Sequence, residues 1–573
     1  MSLIEDLSEQ EINRRNNLQA LRDMGIDPYP AAEYPTNAFS TDIIASFSDD
    51  AQQQDVCIAG RMMSRRVMGK ASFVEVQDSK GRIQVYISRD DLCPTDDKEL
   101  YNTVFKKLLD LGDFIGIKGF VFRTQTGEVS IHAKELTVLA KSIKPLPVVK
   151  YKDGVAYDKF DDPELRFRQR YVDLVVNDGV KDTFLKRATV IKTLRSVLDG
   201  AGYTEVETPT LQAIAGGASA RPFITHFNAL DIDMYMRIAT ELYLKRLIVG
   251  GFEGVYEIGK NFRNEGMDRN HNPEFTCMEL YVQYKDYNWM MSFTEKLLET
   301  ICIAVNGSAE AKVGDNIISF KAPYRRLPIL DAIKEKTGFD LNGMSEDEIR
   351  EVAKKVGVEV DETMGKGKLI DEIFGETCEG TFIQPTFITD YPVEMSPLTK
   401  MHRSKPGLTE RFELMVNGKE LANAYSELND PIDQEERFKE QMRLSEKGDD
   451  EAMIIDQDFL RALQYGMPPT SGIGIGIDRL CMLMTGQTTI QEVLLFPQMK
   501  PEKKKERDGE QAFNAIGVPT EWIGVLYKMG INKVADLKGL NPNKLFQDLC
   551  GQNKKLKLGL TNPAQDLVKQ WTE

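Results

Sequence analysis

Stretches of alternating apolar and polar residues predict a β-barrel near the start of this chain. Between residues 56 and 139, five short segments alternate with period two, which is typical of strands with one buried face. They read VCIAGRMM, SFVEVQD, RIQVYIS, DFIGIKGFVF and VSIHAKELTVLA, and a helical segment near residues 98–111 interrupts them. Five short strands with one helix predict a five-stranded barrel of the OB type, a fold that often binds single-stranded nucleic acid.

The pattern outside the barrel predicts an α+β multidomain protein. An N-terminal helical segment covers residues 1–54, and the barrel is expected to occupy residues 55–145. Residues 146–500 mix helices with antiparallel hairpin signals and contain a charged, helix-rich insertion at about 321–379. Because no βαβ repeat and no GxxxxGK[ST] loop occurs there, a doubly wound nucleotide fold is disfavoured. Residues 508–573 predict a helical C-terminal extension.

Composition limits the class of protein. The chain has 573 residues, 73 basic and 89 acidic, with a net charge of −16, which argues against wholesale coating of nucleic acid. The opening MSLIEDLSEQEINRRNN lacks the apolar core of a secretory signal, and no apolar run approaches membrane-spanning length. Seven cysteines without CxxC pairs predict reduced thiols, and the scattered His and Cys argue against zinc. We therefore expect a cytoplasmic protein without a membrane segment.

Residues 255–281 concentrate polar chemistry on one face of a predicted hairpin. In the first strand, Glu257 and Arg263 lie opposite the apolar side. In the second strand, Phe275, Cys277, Glu279 and Tyr281 share a face opposite Met278 and Leu280. A guanidinium, carboxylates and a phenol together can hold a phosphate, a purine and a cationic substrate. The alternative from the hairpin alone is a salt-bridged surface element.

Three motifs in the chain resemble those of class II aminoacyl-tRNA synthetases. The hairpin contains Phe262-Arg263, Glu265, His271 and Phe275, which resemble the second motif of that class. GIGIGIDRL, ending in Arg479-Leu480, resembles the third, and GYTEVETP at residues 202–209 resembles the first. HNPEFTCMELY and GKELANAYSELNDP are most similar to the lysyl branch of the class, and the resemblance covers about residues 1–500. It implies a catalytic domain with an antiparallel sheet flanked by helices.

The C-terminal extension departs from the usual bacterial pattern of that branch. Its sequence WIGVLYKMGINKVADL places Gly530-Ile531 between two helical stretches and resembles a helix-hairpin-helix unit. Binding of tRNA, binding of a partner and stabilisation of a dimer all remain open for it.

The resemblance implies which residues hold ATP. Arg263 would be the catalytic residue, because one guanidinium can bridge the amino-acid carboxylate and the α-phosphate. His271 and Arg479 would contact the polyphosphate, and Phe275 and Arg479 would enclose adenine. Glu265 belongs to the same ATP-binding set.

A hairpin turn predicts a Mg²⁺ site. Asn417-Gly418 is a strong two-residue turn, so residue 416 should pair with 419 and residue 415 with 420. Glu413 and Glu420 then lie diagonally on one face, within reach of a shared cation. Oxygen ligands of this kind suit Mg²⁺ that bridges phosphates. The alternative is two exposed strand carboxylates.

The resemblance also implies a lysine pocket. Gly217, through its backbone, and Glu241 would hold the α-amino group. The side-chain end would be lined by Glu279, Tyr281, Asn423, Tyr425 and Glu427. The residues of this set at 423, 425 and 427 alternate on one strand face, but their parity differs from that of Glu420. A bulge near Leu421-Ala422 is therefore predicted.

In the barrel, the resemblance implies an anticodon site. Phe73 and Gln84 resemble the aromatic and amide pair that clamps the central anticodon uridine in related barrels. Glu135 would add a hydrogen-bond acceptor. A core position is the alternative for Phe73.

The leading hypothesis is a homodimeric, Mg²⁺-dependent lysine–tRNA ligase that uses ATP, L-lysine and tRNA(Lys). Alternatives are an aspartyl or asparaginyl relative, a paralogue that lysylates a protein, and a non-catalytic RNA-binding paralogue. Arg263, Glu420 and Arg479 are all present, which opposes the non-catalytic alternative.

Overall fold

The computed structural model describes residues 7–50, 52–147, 150–152, 155–157, 159–218, 220–361, 364–446, 455–502, 506–556 and 558–573. By their internal contacts the residues form two compact units, one of Met1–Lys159 with Pro501–Glu573 and one of Phe160–Lys500. In these described ranges, every helix is too short or too polar to cross a membrane.

The N-terminal barrel confirms the predicted OB-type fold. Its strands close in the order first, second, third, fifth, fourth, with the third and fifth parallel. The strands are Asp55–Met68, Ala71–Gln77, Arg82–Ser88, Phe114–Arg123 and Val129–Ala140. Inward residues such as Val74, Val85 and Ile117 are fully buried, as the alternation predicts. The helices of this part are Glu9–Asp23, Ser40–Ser46, Arg89–Leu92 and a π-helix at Leu100–Leu108.

The second unit is built on an eight-stranded sheet that is antiparallel except at its two edges. In spatial order its strands are Arg325–Pro328, Thr386–Thr389, Arg411–Val416, Lys419–Ser426, Thr470–Gly476, Glu274–Gln283, Gly254–Phe262 and Thr204–Glu205. Helices Val180–Gly200, Tyr287–Asn306 and Ile477–Thr485 cover one face and form the main apolar core with it. The opposite face is therefore free to carry polar side chains.

Smaller elements complete this unit. Further helices are Pro163–Arg168, Arg170–Val176, Glu241–Val249, Pro431–Glu446 and Gln457–Gln464. A small three-stranded sheet consists of Ile224–Phe227, Ile232–Met236 and Leu211–Gln212, and a two-stranded pair consists of Glu310–Val313 and Asn316–Ser319. A second two-stranded pair, Lys150–Lys152 with Val155–Tyr157, belongs to the first unit. Single 3₁₀ turns occur at Glu379–Thr381, Val393–Met395 and Ile490–Glu492.

The region predicted as an insertion contains a helical subdomain. Helices Ile329–Thr337, Glu346–Lys355 and Lys366–Thr377 pack around their own apolar cluster, which includes Ile333 and Phe374. However, strand Arg325–Pro328 lies inside the predicted range and is the edge of the central sheet. Its pairing with a strand about sixty residues later could not be read from local sequence.

The C-terminal extension is helical, as predicted. Its helices are Glu510–Ala515, Thr520–Lys528, Pro542–Leu556 and Gln565–Thr572, and Trp522 and Trp571 are buried in a core of their own. It differs from the expected hairpin of two helices, since the segment after Gly530 forms only the 3₁₀ turn Val534–Leu537. Asp536 accepts hydrogen bonds from the backbone N–H groups of residues 532 and 533 and so caps that turn.

Candidate active site

A cavity of about 680 Å³ opens on the polar face of the central sheet. It lies within the size range of small-molecule sites. The structure brings into its lining thirteen residues that were singled out from the sequence: Gly217, Glu241, Arg263, Glu265, His271, Phe275, Glu279, Tyr281, Glu413, Glu420, Asn423, Tyr425 and Arg479. Strand alternation explains this convergence, because Met278 and Leu280 point into the core between Cys277, Glu279 and Tyr281.

One end of the cavity is cationic. Arg263 lies over the Phe275 ring at 5.1 Å, and its Nε is buried without a hydrogen-bond partner among the described residues. Arg479 Nη2 lies 2.9 Å from His271 Nε2, and Nη1 donates to the carbonyl oxygen of Glu420 at 2.7 Å. A buried guanidinium nitrogen without a partner marks a place where an external acceptor can bind. This end therefore suits an anion.

Asp268 orients His271 and was missed by the sequence interpretation. Its carboxylate lies 2.8 Å from His271 Nδ1 and also accepts from the backbone N–H of His271. Since Nδ1 is held by the carboxylate, Nε2 faces Arg479. The Asp-x-x-His spacing was the available signal.

The other end of the cavity is acidic. Glu279 accepts hydrogen bonds from the backbone N–H of Thr240 at 3.1 Å and from the Tyr281 hydroxyl at 3.1 Å. The Tyr425 hydroxyl donates to Glu241 at 2.6 Å. Burial, together with the neighbouring Glu241 carboxylate, raises the pKa of Glu279. Among the described residues, Glu279 has hydrogen-bond donors but no cationic partner, and a cationic ligand would supply that charge.

Glu427 is the one candidate of this unit that does not line the cavity. It is 1% exposed and forms an ion pair with Lys245, which is fully buried on helix Glu241–Val249. Lys245 Nζ also lies 2.5 Å from Glu241. The sequence analysis did not single out Lys245, although a glutamate and a lysine four residues apart, as at Glu241 and Lys245, were a usable signal for an ion pair on a helix.

The predicted hairpin geometry of the acidic strand pair is confirmed. Residue 416 pairs with 419 and residue 415 with 420. The register then shifts, because Leu414 pairs with Ala422 and leaves Leu421 as an extra residue. This is the bulge that the sequence required, and it turns Asn423 and Tyr425 toward the cavity.

Glu413 and Glu420 lie together in the cavity with Arg411 as a partial counter-charge. Burial raises the pKa of Glu413 to about 7 even though Arg411 lowers it, and Glu420 adds to the rise. Asp371, from helix Lys366–Thr377, also lines this part, and burial raises its pKa. Within the described part of the chain, no three His, Cys, Asp or Glu side chains are arranged to hold a metal ion. Two glutamates would thus supply only part of a coordination shell.

The barrel carries a second cavity of about 340 Å³. Phe73 and Gln84 both line it, together with Arg66, whose guanidinium lies 5.3 Å from the centre of the Phe73 ring. Glu135 lies elsewhere on the barrel, where it pairs with Lys118 at 2.7 Å. Tyr86, at 5.2 Å from Phe73, extends the aromatic surface and was missed from sequence. The structure thus places two of the three predicted residues, Phe73 and Gln84, in one cavity.

The comparisons with known families agree with this fold. Residues 162–500 match the class II tRNA synthetases (D, K and N), and residues 56–139 match the OB-fold nucleic acid binding domain. The chain belongs to the class II tRNA synthetases, which confirms the predicted fold and enzyme class.

Relatives narrow the family within that class. A lysine–tRNA ligase of Porphyromonas gingivalis (strain ATCC 33277) is 65% identical over 100% of this chain and 99% of its own length. Similar enzymes of Azobacteroides pseudotrichonymphae, 65% identical over 87% of this chain and 99% of the relative, and of Christiangramia forsetii, 64% identical over 96% of each chain, carry the same name. The chain belongs to the lysine–tRNA ligases, as predicted.

Gly472 tests how tightly the acidic end is packed. A Cβ at Gly472 would overlap Glu427 Oε1 and the Tyr281 ring, so Gly472→Ala should destabilise the protein by about 1–3 kcal/mol through overpacking. A lowered midpoint in thermal unfolding would show this. Gly474→Ala is the matched control, because its Cβ would lie 3.8 Å from Glu279 Cγ. Equal midpoints for the two variants would contradict the packing argument.

Proposed function

We propose that the cavity activates L-lysine with ATP and that its two ends divide the two substrates. The supporting observation is the separation of charge, with Arg263 and Arg479 at one end and Glu241 and Glu279 at the other. ATP brings negative charge and lysine brings two ammonium groups, so each substrate suits one end. The product, lysyl-adenylate, then transfers lysine to the 3′ end of tRNA(Lys).

Arg263 is the proposed catalytic residue. A carboxylate oxygen of lysine attacks the α-phosphorus of ATP, and the bond to pyrophosphate breaks. The guanidinium brings the two anions together and stabilises charge that develops on the phosphoryl oxygens. The partnerless Nε in the described structure supports this role. Phe275 and Arg479 would enclose adenine, and His271 and Glu265 would complete the nucleotide site.

The acidic end is the proposed source of lysine specificity. Gly217 and Glu241 would hold the α-amino group, while Glu279, Tyr281, Asn423, Tyr425 and Glu427 would surround the ε-ammonium. An uncharged isostere would leave buried carboxylates unpaired, which supports discrimination of about 10⁴-fold. An aspartate side chain would be repelled by the same carboxylates. Ornithine, one methylene shorter, should lose only about 1–3 kcal/mol of binding.

Glu413 and Glu420 are the proposed Mg²⁺ ligands. Their residue types fit a hard cation, and burial raises the pKa of Glu413 although Arg411 lies beside it, so one guanidinium does not offset the burial of this carboxylate. When bound with ATP, Mg²⁺ supplies neutralisation of the phosphate charge. The two carboxylates would hold the phosphate end of the nucleotide near Arg263, and phosphate oxygens and water would fill the remaining coordination positions.

The barrel is proposed to bind the anticodon. Phe73 would stack on the central base and Gln84 would read its edge, and Arg66 beside them can contact phosphate. Glu135 pairs with Lys118 in this structure and would add a hydrogen-bond acceptor only from outside the cavity.

We propose a division of the chain into four parts. They are a helical segment at 1–54, the anticodon domain at 55–145, the catalytic domain at 146–500 and the extension at 508–573.

A homodimer is proposed from an exposed apolar surface. The small sheet of the second unit exposes large apolar side chains on adjacent strands, and Phe227 pairs with Ile232 across it. The exposed set is Leu211, Ile224, Phe227, Leu230 and Ile232. Clusters of this kind mark association surfaces, and a second copy with two-fold symmetry would bury them.

The proposed compartment is the cytoplasm. The seven cysteines are free, and five of them are buried in the structure. Reduced thiols are the rule in the cytosol, where tRNA charging takes place.

Removal of the Arg263 guanidinium tests the catalytic assignment. Arg263→Ala should lower lysine-dependent ATP–pyrophosphate exchange by about a hundredfold or more, because a preorganised cation is lost from the transition state. Circular dichroism should remain unchanged. Arg325→Ala removes an exposed arginine that pairs with Glu335 and serves as the control. Exchange near the wild-type rate in Arg263→Ala would refute the role, and exchange with aspartate or asparagine in place of lysine would refute the specificity.

Removal of the Phe73 ring tests the anticodon assignment. Stacking of a base on an aromatic side chain contributes about 1–3 kcal/mol, so Phe73→Ala should raise the KM for tRNA(Lys) about tenfold and leave pyrophosphate exchange unchanged. Phe114→Ala, an exposed barrel phenylalanine outside the second cavity, is the matched control. A parallel loss of both activities would instead assign Phe73 to the barrel core.

Charge on the exposed apolar surface tests the homodimer. The double substitution Phe227→Asp and Leu230→Asp should convert the dimer to a monomer, as measured by sedimentation, because association would then bury unpaired carboxylates. Ile317→Asp, at a residue that is 61% exposed on another hairpin, should leave the mass unchanged. A dimeric double variant would place the interface elsewhere.

A further inference from the structure

Lys245 is a fully buried cation behind the acidic end of the cavity. Its Nζ contacts Glu241 and Glu427 together and lies 5.4 Å from the Tyr425 ring and 5.8 Å from the Phe459 ring. It has no part in the cavity lining. Although burial alone would lower the pKa of Lys245, the two carboxylates raise it above its ordinary value. The side chain is therefore an ammonium that is held inside the protein and out of reach of a ligand in the cavity.

The surroundings make this buried charge costly. Lys245 Nζ lies 5.8 Å from the ring of Phe459. Phe459 belongs to an apolar cluster that includes Leu242 and Phe438. Burial of an ion pair in such surroundings is often no more stable than apolar packing of the same volume. Stability of the fold is thus a weak explanation for an ammonium at this position.

The charges around the acidic end give a better explanation. Three carboxylates, Glu241, Glu279 and Glu427, lie together in a buried environment. Burial and the Glu241 carboxylate raise the pKa of Glu279, and burial, Glu241 and Glu279 raise the pKa of Glu427. Lys245 contacts two of them and supplies one positive charge. When a bound cation keeps all three carboxylates ionised, three negative charges less one leave two. L-Lysine brings two ammonium groups to this end, and its carboxylate is assigned to Arg263.

We propose that Lys245 is a positioning residue that sets the net charge of the lysine pocket to minus two, so that it matches the two ammonium groups of the substrate. The proposal rests on the assignment of this cavity to lysine. Lys245 acts through Glu241 and Glu427, which it also fixes in place from behind. The Tyr425 hydroxyl, which donates to Glu241, is held by the same group of charges.

A pair of variants tests the charge match. In Glu427→Gln, two carboxylates and the Lys245 ammonium leave the pocket with a net charge of only minus one. The Lys245 ammonium, no longer balanced by Glu427, would repel the substrate, and the KM for lysine should rise. Adding Lys245→Met restores minus two. The double variant should therefore have a KM for lysine about tenfold lower than that of Glu427→Gln alone, because like charges placed together weaken binding strongly. The KM for ATP should stay within about twofold in both proteins.

A surface lysine provides the matched control. Lys260→Met, in the Glu427→Gln background, removes an exposed lysine that pairs with Glu274 on the same sheet. It should leave the KM for lysine unchanged, which would show that the improvement comes from the position of the charge. The double variant removes both members of the Lys245–Glu427 pair, so Glu241 alone loses its cation and keeps the Tyr425 hydroxyl as a hydrogen-bond donor, whereas Lys245→Met by itself would leave two buried carboxylates without a cation.

The outcomes separate this inference from the proposed function. If Glu241→Gln raises the KM for lysine and the Lys245→Met, Glu427→Gln double variant binds lysine no better than Glu427→Gln, the cavity holds lysine and Lys245 has only a structural role. If Glu241→Gln leaves the KM for lysine within twofold of wild type, the assignment of the cavity itself fails. A selective recovery of the KM for lysine in the double variant supports the charge match.

Discussion

The active site depends on the two-residue alternation of the strand Glu274–Gln283, which lies between strands Gly254–Phe262 and Thr470–Gly476. Its even-numbered residues, such as Met278 and Leu280, are buried against the helices, and its odd-numbered residues, such as Glu279 and Tyr281, face the cavity. A slip of one residue would exchange the two sets. The register of this strand therefore fixes the core and the chemistry together.

Burial makes the charges of the cavity effective. In a low dielectric, a carboxylate whose charge is not fully balanced is costly, and burial accordingly raises the pKa of Glu279 and of Glu413. A ligand that brings positive charge to these groups removes the cost, whereas a neutral ligand does not. In the proposed function, selectivity for a cationic amino acid would follow from this burial, and the buried Arg263 guanidinium would favour anionic groups for the converse reason.

Local sequence rules predicted the parts of the site that depend on one strand or one turn. The Asn417-Gly418 turn fixed the pairing of residues 415 and 420, and the parity of Glu420 and Asn423 required the observed bulge. Features that depend on distant pairing were not predictable. Lys245 meets Glu427 across 182 residues of sequence, so this ion pair could not be predicted from a local pattern. Glu135 likewise lies outside the barrel cavity because its partner strand, not its own pattern, decides its neighbours.

The residues behind the cavity matter as much as those that line it. Gly472 has no side chain, and the space is taken by Glu427 and Tyr281. Without that space, the Glu427 carboxylate could not occupy the position in which it contacts Lys245. A glycine-rich strand is usually interpreted through close approach of a backbone to a ligand. Here the same strand also makes room for the buried Glu427 carboxylate, so the third motif shapes the acidic end of the cavity as well as contributing Arg479 to the cationic end.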